Sequence, residues 1–202
     1  MNLLSLSGDR SAELISGCCH QLATAATQHE GTRIIAETLP KYTIHHLQYI
    51  GGYIRHNVDK LPNPYRNRYR PYSQDLLNQY STCMKEYRCG IPADTRPIKD
   101  PSLWKTYWEI TPGHCFDPGP QRPDEPFPQM KHPMNTFFYR LVYGYVMLIK
   151  GGYGHPIGMP FPGGFTVRQN GDRVLCPIRD KEKDLPAALC NYCPAEQDPD
   201  FL

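Results

Sequence analysis

The last fifty residues constrain this chain most. They run His155-Pro156-Ile157-Gly158, Phe161-Pro162-Gly163-Gly164-Phe165, Cys176-Pro177 and Cys190-Asn191-Tyr192-Cys193-Pro194. Three cysteines and one histidine lie within 39 residues, and the stretch reads as a metal site. Cys190-x-x-Cys193 is a turn in which two sulfurs can face one ion. Thirteen residues separate Cys176 from Cys190, and twenty separate His155 from Cys176. Three thiols and one imidazole, brought from two distant arms, match the composition of a closed tetrahedral zinc site. The predicted metal ligands are His155, Cys176, Cys190 and Cys193. Residues 165–168 and 173–176 read as two short strands turned at Gln169-Asn170-Gly171-Asp172, with Asn-Gly as the hairpin signal. A unit this small has little apolar area to fold on, and a metal would supply the missing stability.

Zinc is not the sole reading of these ligands. Cys176 and Cys193 each precede a proline, as cysteines of ferredoxin-type runs do. An iron–sulfur cluster on the three cysteines plus His155 or Cys115 is the alternative, with a reduced thiol set holding no metal as the third. The spacing departs from the common ferredoxin run, which favours zinc.

The remainder reads as helices. Residues 9–27, 32–39, 42–60 and 73–87 carry apolar residues at helical spacing, such as Leu14, Ile15, Cys18 and Leu22 in the first and Ile44, Leu47, Ile50, Ile54 and Val58 in the third. Residues 102–110 form a short aromatic helix with Trp104, Tyr107 and Trp108, started by Asp100-Pro101. Residues 91–100 read as a loop. Seven prolines between Thr111 and Pro133 predict an irregular wrap or linker there. Residues 134–150 are apolar almost all round, which marks a buried central helix. The expected fold is mostly α: a helical bundle around the buried helix near 134–150, with a small C-terminal β-hairpin and loop metal module. The expected division is a helical region over 1–110, a proline-rich wrap or linker over 111–133, and the buried helix plus cysteine-rich module over 134–202.

Other clusters read less specifically. Cys18 and Cys19 are adjacent on a helix and point about 100° apart, which suits core packing better than joint chelation. Cys83 and Cys89 are spaced unlike a metal knuckle. No histidine pair among His45, His46 and His56 has the i, i+4 spacing of a helical zinc motif. His114-Cys115 with Asp117 is a candidate second ligand cluster or reactive thiol. Arg66, Arg68 and Arg70 alternate with Tyr65, Tyr69 and Tyr72, a pattern able to contact phosphate and stack on bases. The net charge of +2 argues against a dedicated nucleic-acid binder. The sequence shows no apolar run of membrane-spanning length and no secretory leader. The expectation is a cytoplasmic protein whose eight cysteines stay reduced.

The motifs His155-Pro156-Ile157-Gly158, Phe161-Pro162-Gly163-Gly164, Cys176-Pro177-Ile178-Arg179-Asp180-Lys181, Ala188-Leu189-Cys190-Asn191-Tyr192-Cys193 and Gln197-Asp198 together resemble the C-terminal signature of an uncharacterised archaeal family found mainly in methanogens, a domain of unknown function. The similarity covers about residues 135–198. It implies a shared cysteine module and an accessory or assembly role in methanogen-type metabolism, and no reaction. With no catalytic triad, phosphate loop or dinucleotide glycine pattern in view, the expected function is a non-enzymatic zinc protein that presents a surface, including loop 161–165, to a protein partner. An iron–sulfur protein of electron transfer or catalysis is the alternative, and a nucleic-acid accessory protein the third.

Overall fold

A computed structural model describes residues 3–90, 96–117 and 126–201. The order of helices is α1 (Gly8–Thr24), α2 (Gln28–Thr38), α3 (Ile44–Asp59), α4 (Tyr65–Tyr69), α5 (Asp75–Arg88), α6 (Pro101–Cys115) and α7 (Pro133–Tyr143), the last running into a π-helical segment, Gly144–Ile149. The mostly helical expectation holds, with a small three-stranded sheet near the C-terminus.

Local sequence explains the helix ends. The α2 start lies four residues earlier than the apolar pattern suggests, because Thr27 and Glu30 form a capping box. Asp100 caps α6 by accepting from the Leu103 N–H at 2.9 Å, with Pro101 at the first helical position. In α3, His46 is the reciprocal partner of the Thr43 cap and is buried, so it serves the helix start. Ile44, expected in the buried stripe, is 62% exposed at the first position of that helix.

Two expectations are corrected in the middle of the chain. Helix α6 does not stop at residue 110 but runs through Pro112 to Cys115. A proline inside a helix costs about 3 kcal/mol. Against that, Trp104, Tyr107, Trp108, Thr111 and Cys115 form a buried stripe, and α6 packs on α1 more extensively than any other pair of elements. The second correction concerns residues 134–150. The last two turns widen to a π-helix, with the Lys150 N–H donating to the Tyr145 carbonyl at 3.0 Å. Gly144 sits at the change of pitch. A Cβ there would lie 2.7 Å from Trp108 Cζ2 and 2.9 Å from its Cη2, so only glycine lets α7 approach the indole this closely. Parts of the expected loop 91–100 and of the proline-rich stretch 111–133 lie outside the described residues.

The main core joins all the long helices and reaches Tyr192 of the C-terminal segment. Helix α7 lies at its centre, burying Phe137, Phe138, Leu141 and Val142 together with the charged Arg140. A second, smaller core gathers Met159, Phe161, Val167, Val174, Cys176 and Ala195. It is framed by strands β1 (Arg168–Asn170), β2 (Arg173–Cys176) and β3 (Glu196–Gln197). β1 and β2 are antiparallel in the register Asn170↔Arg173, so the turn is Gly171-Asp172, with Gly171 at φ +60. The expected hairpin is present with its first strand shifted toward the turn. β3 pairs parallel to β2 and has no counterpart in the sequence reading.

Candidate metal centre

The π-helical end of α7 leads through Gly151 and Gly152 into an irregular arm carrying Gly154 and His155. The second arm is β2, which ends on Cys176. The third is a one-turn 3-10 helix, Leu189–Tyr192, which holds Cys190 and releases the chain at Cys193. These arms enclose a cavity of about 240 Å³, and all four predicted ligands, His155, Cys176, Cys190 and Cys193, line it. Met147, Tyr139 and Tyr143 from α7 and its π-helical extension supply apolar wall, and Arg179 supplies the one charged side chain of the lining.

The turns around the sulfurs are fixed by backbone hydrogen bonds. The Gly154 N–H donates to Cys193 Sγ at 3.3 Å, tying the first arm to the third. The Ile178 N–H donates to the Cys176 sulfur across Pro177. The Cys193 N–H donates to the Cys190 carbonyl at 3.1 Å, closing the Cys-x-x-Cys turn. Arg179 straps the turn from outside, with Nε donating to the carbonyls of Ala195 at 3.1 Å and Cys193 at 3.4 Å. The Asp198 N–H reaches the Cys176 carbonyl at 3.0 Å, and this is what aligns β3 with β2.

Electrostatics group the three thiols more closely than they group His155. Burial pushes the Cys190 thiol up to about 11, and Cys176 and Cys193 add to that shift. Cys176 is raised mainly by burial, against the opposing Ile178 amide, and again feels Cys193. His155 is lowered by burial alone. Its ring stands edge-on to Phe161 at 5.2 Å, between this cavity and a larger tyrosine-lined groove of about 450 Å³ on the α3–α4 side. Among the described residues, no three His, Cys, Asp or Glu side chains converge closely enough to hold one ion. The four candidates thus share a cavity without forming a closed shell.

The remaining candidates resolve into structural roles. Cys19, Cys83 and Cys115 are buried core thiols. Burial pushes Cys83 and Cys115 up to about 12, so neither is a reactive thiolate near neutral pH. Cys18 meets the Thr38 hydroxyl at 3.4 Å. In the Arg/Tyr run, Tyr65, Tyr69 and Tyr72 are half-buried and line the tyrosine groove. Arg66 donates to the Leu61 carbonyl at 2.7 Å and Arg70 pairs with Asp59 at 2.9 Å. In loop 161–165, Phe161 is buried, and Phe165, 40% exposed, packs against Phe201 with ring centroids 4.3 Å apart. Gly154 was given no role in the sequence, and Arg179 appeared only within the Cys176-to-Lys181 motif. Gly154 acts through its backbone, and Arg179 is marked only by following Cys176-Pro177.

No helix among the described residues is long and apolar enough to cross a membrane. No solved structure matches the chain significantly. A UPF0305 protein of Methanothermobacter thermautotrophicus is 43% identical over 62 residues, covering 31% of this chain and 38% of that protein. A UPF0305 protein of Methanopyrus kandleri is 37% identical over 75 residues, covering 37% of this chain and 53% of that protein. The chain thus spans between about two fifths and one half of the length of these relatives. Residues 27–198 match the family described as an uncharacterized protein conserved in archaea (DUF2115), and on that coverage the chain belongs to this family.

Proposed function

We propose that His155, Cys176, Cys190 and Cys193 bind one zinc ion that fastens the C-terminal segment to the helical body, and that the protein is a non-enzymatic accessory protein. The observation that carries this reading is the single cavity lined by all four residues. The donor set suits zinc: three thiols and an imidazole, with amide N–H groups on two of the sulfurs. Cys190 and Cys193 sit on one turn, Cys176 on a strand end and His155 on a loop, so the shell closes by small movements of irregular backbone. Zinc would add cross-links between three arms that also meet through the Gly154–Cys193 hydrogen bond and the two apolar cores. Ile157, Phe165 and Leu185 on the same segment are exposed apolar side chains, each available to a protein partner.

Cobalt(II) titration of the metal-free protein tests the assignment. A tetrahedral Cys3His site gives intense visible bands and sulfur-to-cobalt charge transfer that saturate at one equivalent. Loss of these signals in Cys176→Ser, with a shifted visible envelope in His155→Ala, is the expected result. Six-coordinate cobalt spectra, or an unaltered spectrum in His155→Ala, would overturn the four-ligand shell.

A further inference from the structure

The groove of about 450 Å³ beside the candidate metal centre lies between α3, α4, the start of α5, α7 and the arm 154–161. Six tyrosines line it: Tyr53, Tyr65, Tyr69, Tyr72, Tyr139 and Tyr143. All six are half-buried, so each keeps surface that a ligand can touch.

Sequence spacing builds this cluster. Tyr65 and Tyr69 are four apart on α4, and Tyr139 and Tyr143 are four apart on α7. Residues at that spacing share a helix face, and the Tyr65 and Tyr69 rings lie 5.7 Å apart. The two pairs meet in the groove: burial raises Tyr139 and Tyr143, and Tyr69 adds to both shifts. One carboxylate joins them. Asp75, half-buried at the first position of α5, also lines the groove. Burial raises its carboxyl, against the Gln79 side-chain amide at 3.4 Å. Asp75 adds in turn to the Tyr143 shift, which puts its charge beside the tyrosine cluster.

These groups select the sign and the character of a ligand. A phenol attracts a cation in two ways, through the negative face of its ring and through the lone pairs of its oxygen. A cation near Asp75 favours the ionised carboxylate that burial disfavours, and an anion there is repelled. Leu61, Met159 and Phe161 add apolar wall, which suits a cation clothed in alkyl groups better than a strongly hydrated metal ion. Cavities of about 300–1,000 Å³ hold small organic ligands. We infer that the groove binds a free alkylated ammonium cation of small-molecule size, with its charged head among Tyr69, Tyr139, Tyr143 and Asp75. The inference stands apart from the zinc reading. His155 lines both cavities, but none of the four residues around the head is a proposed zinc ligand.

The test is calorimetric titration of the full chain with choline chloride and with 3,3-dimethylbutan-1-ol, which has the same shape without the charge. Cation–π attraction in a partly desolvated site should make choline bind roughly tenfold or more tightly than the alcohol. Asp75→Asn keeps the side-chain shape and should lower choline affinity by roughly tenfold while retaining helical circular dichroism. Tyr69→Leu removes one electron-rich ring and should weaken choline more than the alcohol. Phosphatidylcholine vesicles carry the same head group on a lipid surface and should not carry the chain with them on flotation. No choline binding by the unmodified chain, equal binding of the alcohol, undiminished choline binding in Asp75→Asn or Tyr69→Leu, or flotation with the vesicles would each overturn the inference.

Discussion

Arg140 Nη1 donates to the carbonyl of Ala187 at 3.0 Å, so a buried charge on the central helix holds the segment that leads into Cys190. Tyr192 reinforces the link from the other side, its ring 4.8 Å from that of Tyr107, which in turn donates its hydroxyl to the Arg140 carbonyl at 2.7 Å. The cysteine segment is thereby anchored to the helical body without a metal. The proposed ion would add a second anchor on its opposite side.

Removing the first anchor should loosen that segment. Arg140→Met keeps the bulk and the apolar contact with Tyr107 but leaves the Ala187 carbonyl without its donor. A buried carbonyl left unsatisfied costs about 1–3 kcal/mol, and the part-buried Ala187 carbonyl should fall toward the lower end. Urea unfolding should show a loss in that range, and limited proteolysis should cut first in residues 180–190. Unchanged stability would mean that the Ala187 contact is incidental.

The proposed second anchor is tested by the knuckle cysteines. Cys190→Ser and Cys193→Ser should each lose bound zinc and lower the melting temperature of the C-terminal segment, whereas Cys18→Ser, on α1 and bonded to Thr38, should retain full zinc content. Full zinc in both knuckle variants would remove these residues from the ligand set.

Two glycine substitutions should have opposite signs. Gly144→Ala places a Cβ within 3.1 Å of Tyr107 Cε1 and closer still to Trp108. Overpacking of this kind costs about 1–3 kcal/mol. Gly17 is an exposed interior position of α1 where a Cβ would meet nothing within 4 Å, so Gly17→Ala should stabilise by about 0.5–1 kcal/mol through helix propensity. Thermal denaturation of both variants checks the pair.

Acid should attack the small sheet through Asp198. Arg168 clasps this buried carboxylate with two hydrogen bonds of 2.6 Å and also bonds Asp200. The Arg168 hydrogen bonds hold Asp198 below the usual carboxylate range, outweighing burial. A depressed folded-state value means that the unfolded chain binds the proton more readily. The stabilisation is then complete above the ordinary aspartate range and fades as pH falls through the folded value. Asp198→Asn should be less stable than the parent at neutral pH, and the difference should shrink in acid. A constant difference across pH would contradict this linkage.

Much of the helical body was legible because its apolar residues recur at helical spacing, and α1, α3 and α5 lie within a few residues of their expected bounds. The cysteine segment announced itself through residue types and spacing; the four residues expected as ligands line one cavity, though among the described residues no three of them converge closely enough to hold an ion. Three features were not legible. Pro112 reads locally as a stop, yet long-range packing of Trp104, Tyr107 and Trp108 carries the helix past it. The π-helical turns begin at Gly144, which packs against Trp108, a residue distant in sequence. The stretch 134–150 reads as apolar almost all round, and only the fold shows its Arg140 buried among Tyr107, Thr111 and Ala187.

Metal analysis of the purified chain bears most directly on the zinc site. Protein prepared without oxygen should contain one zinc per chain by elemental analysis, with no visible absorption. Iron with acid-labile sulfide and a broad visible band, or protein free of metal after purification without chelators, would contradict it.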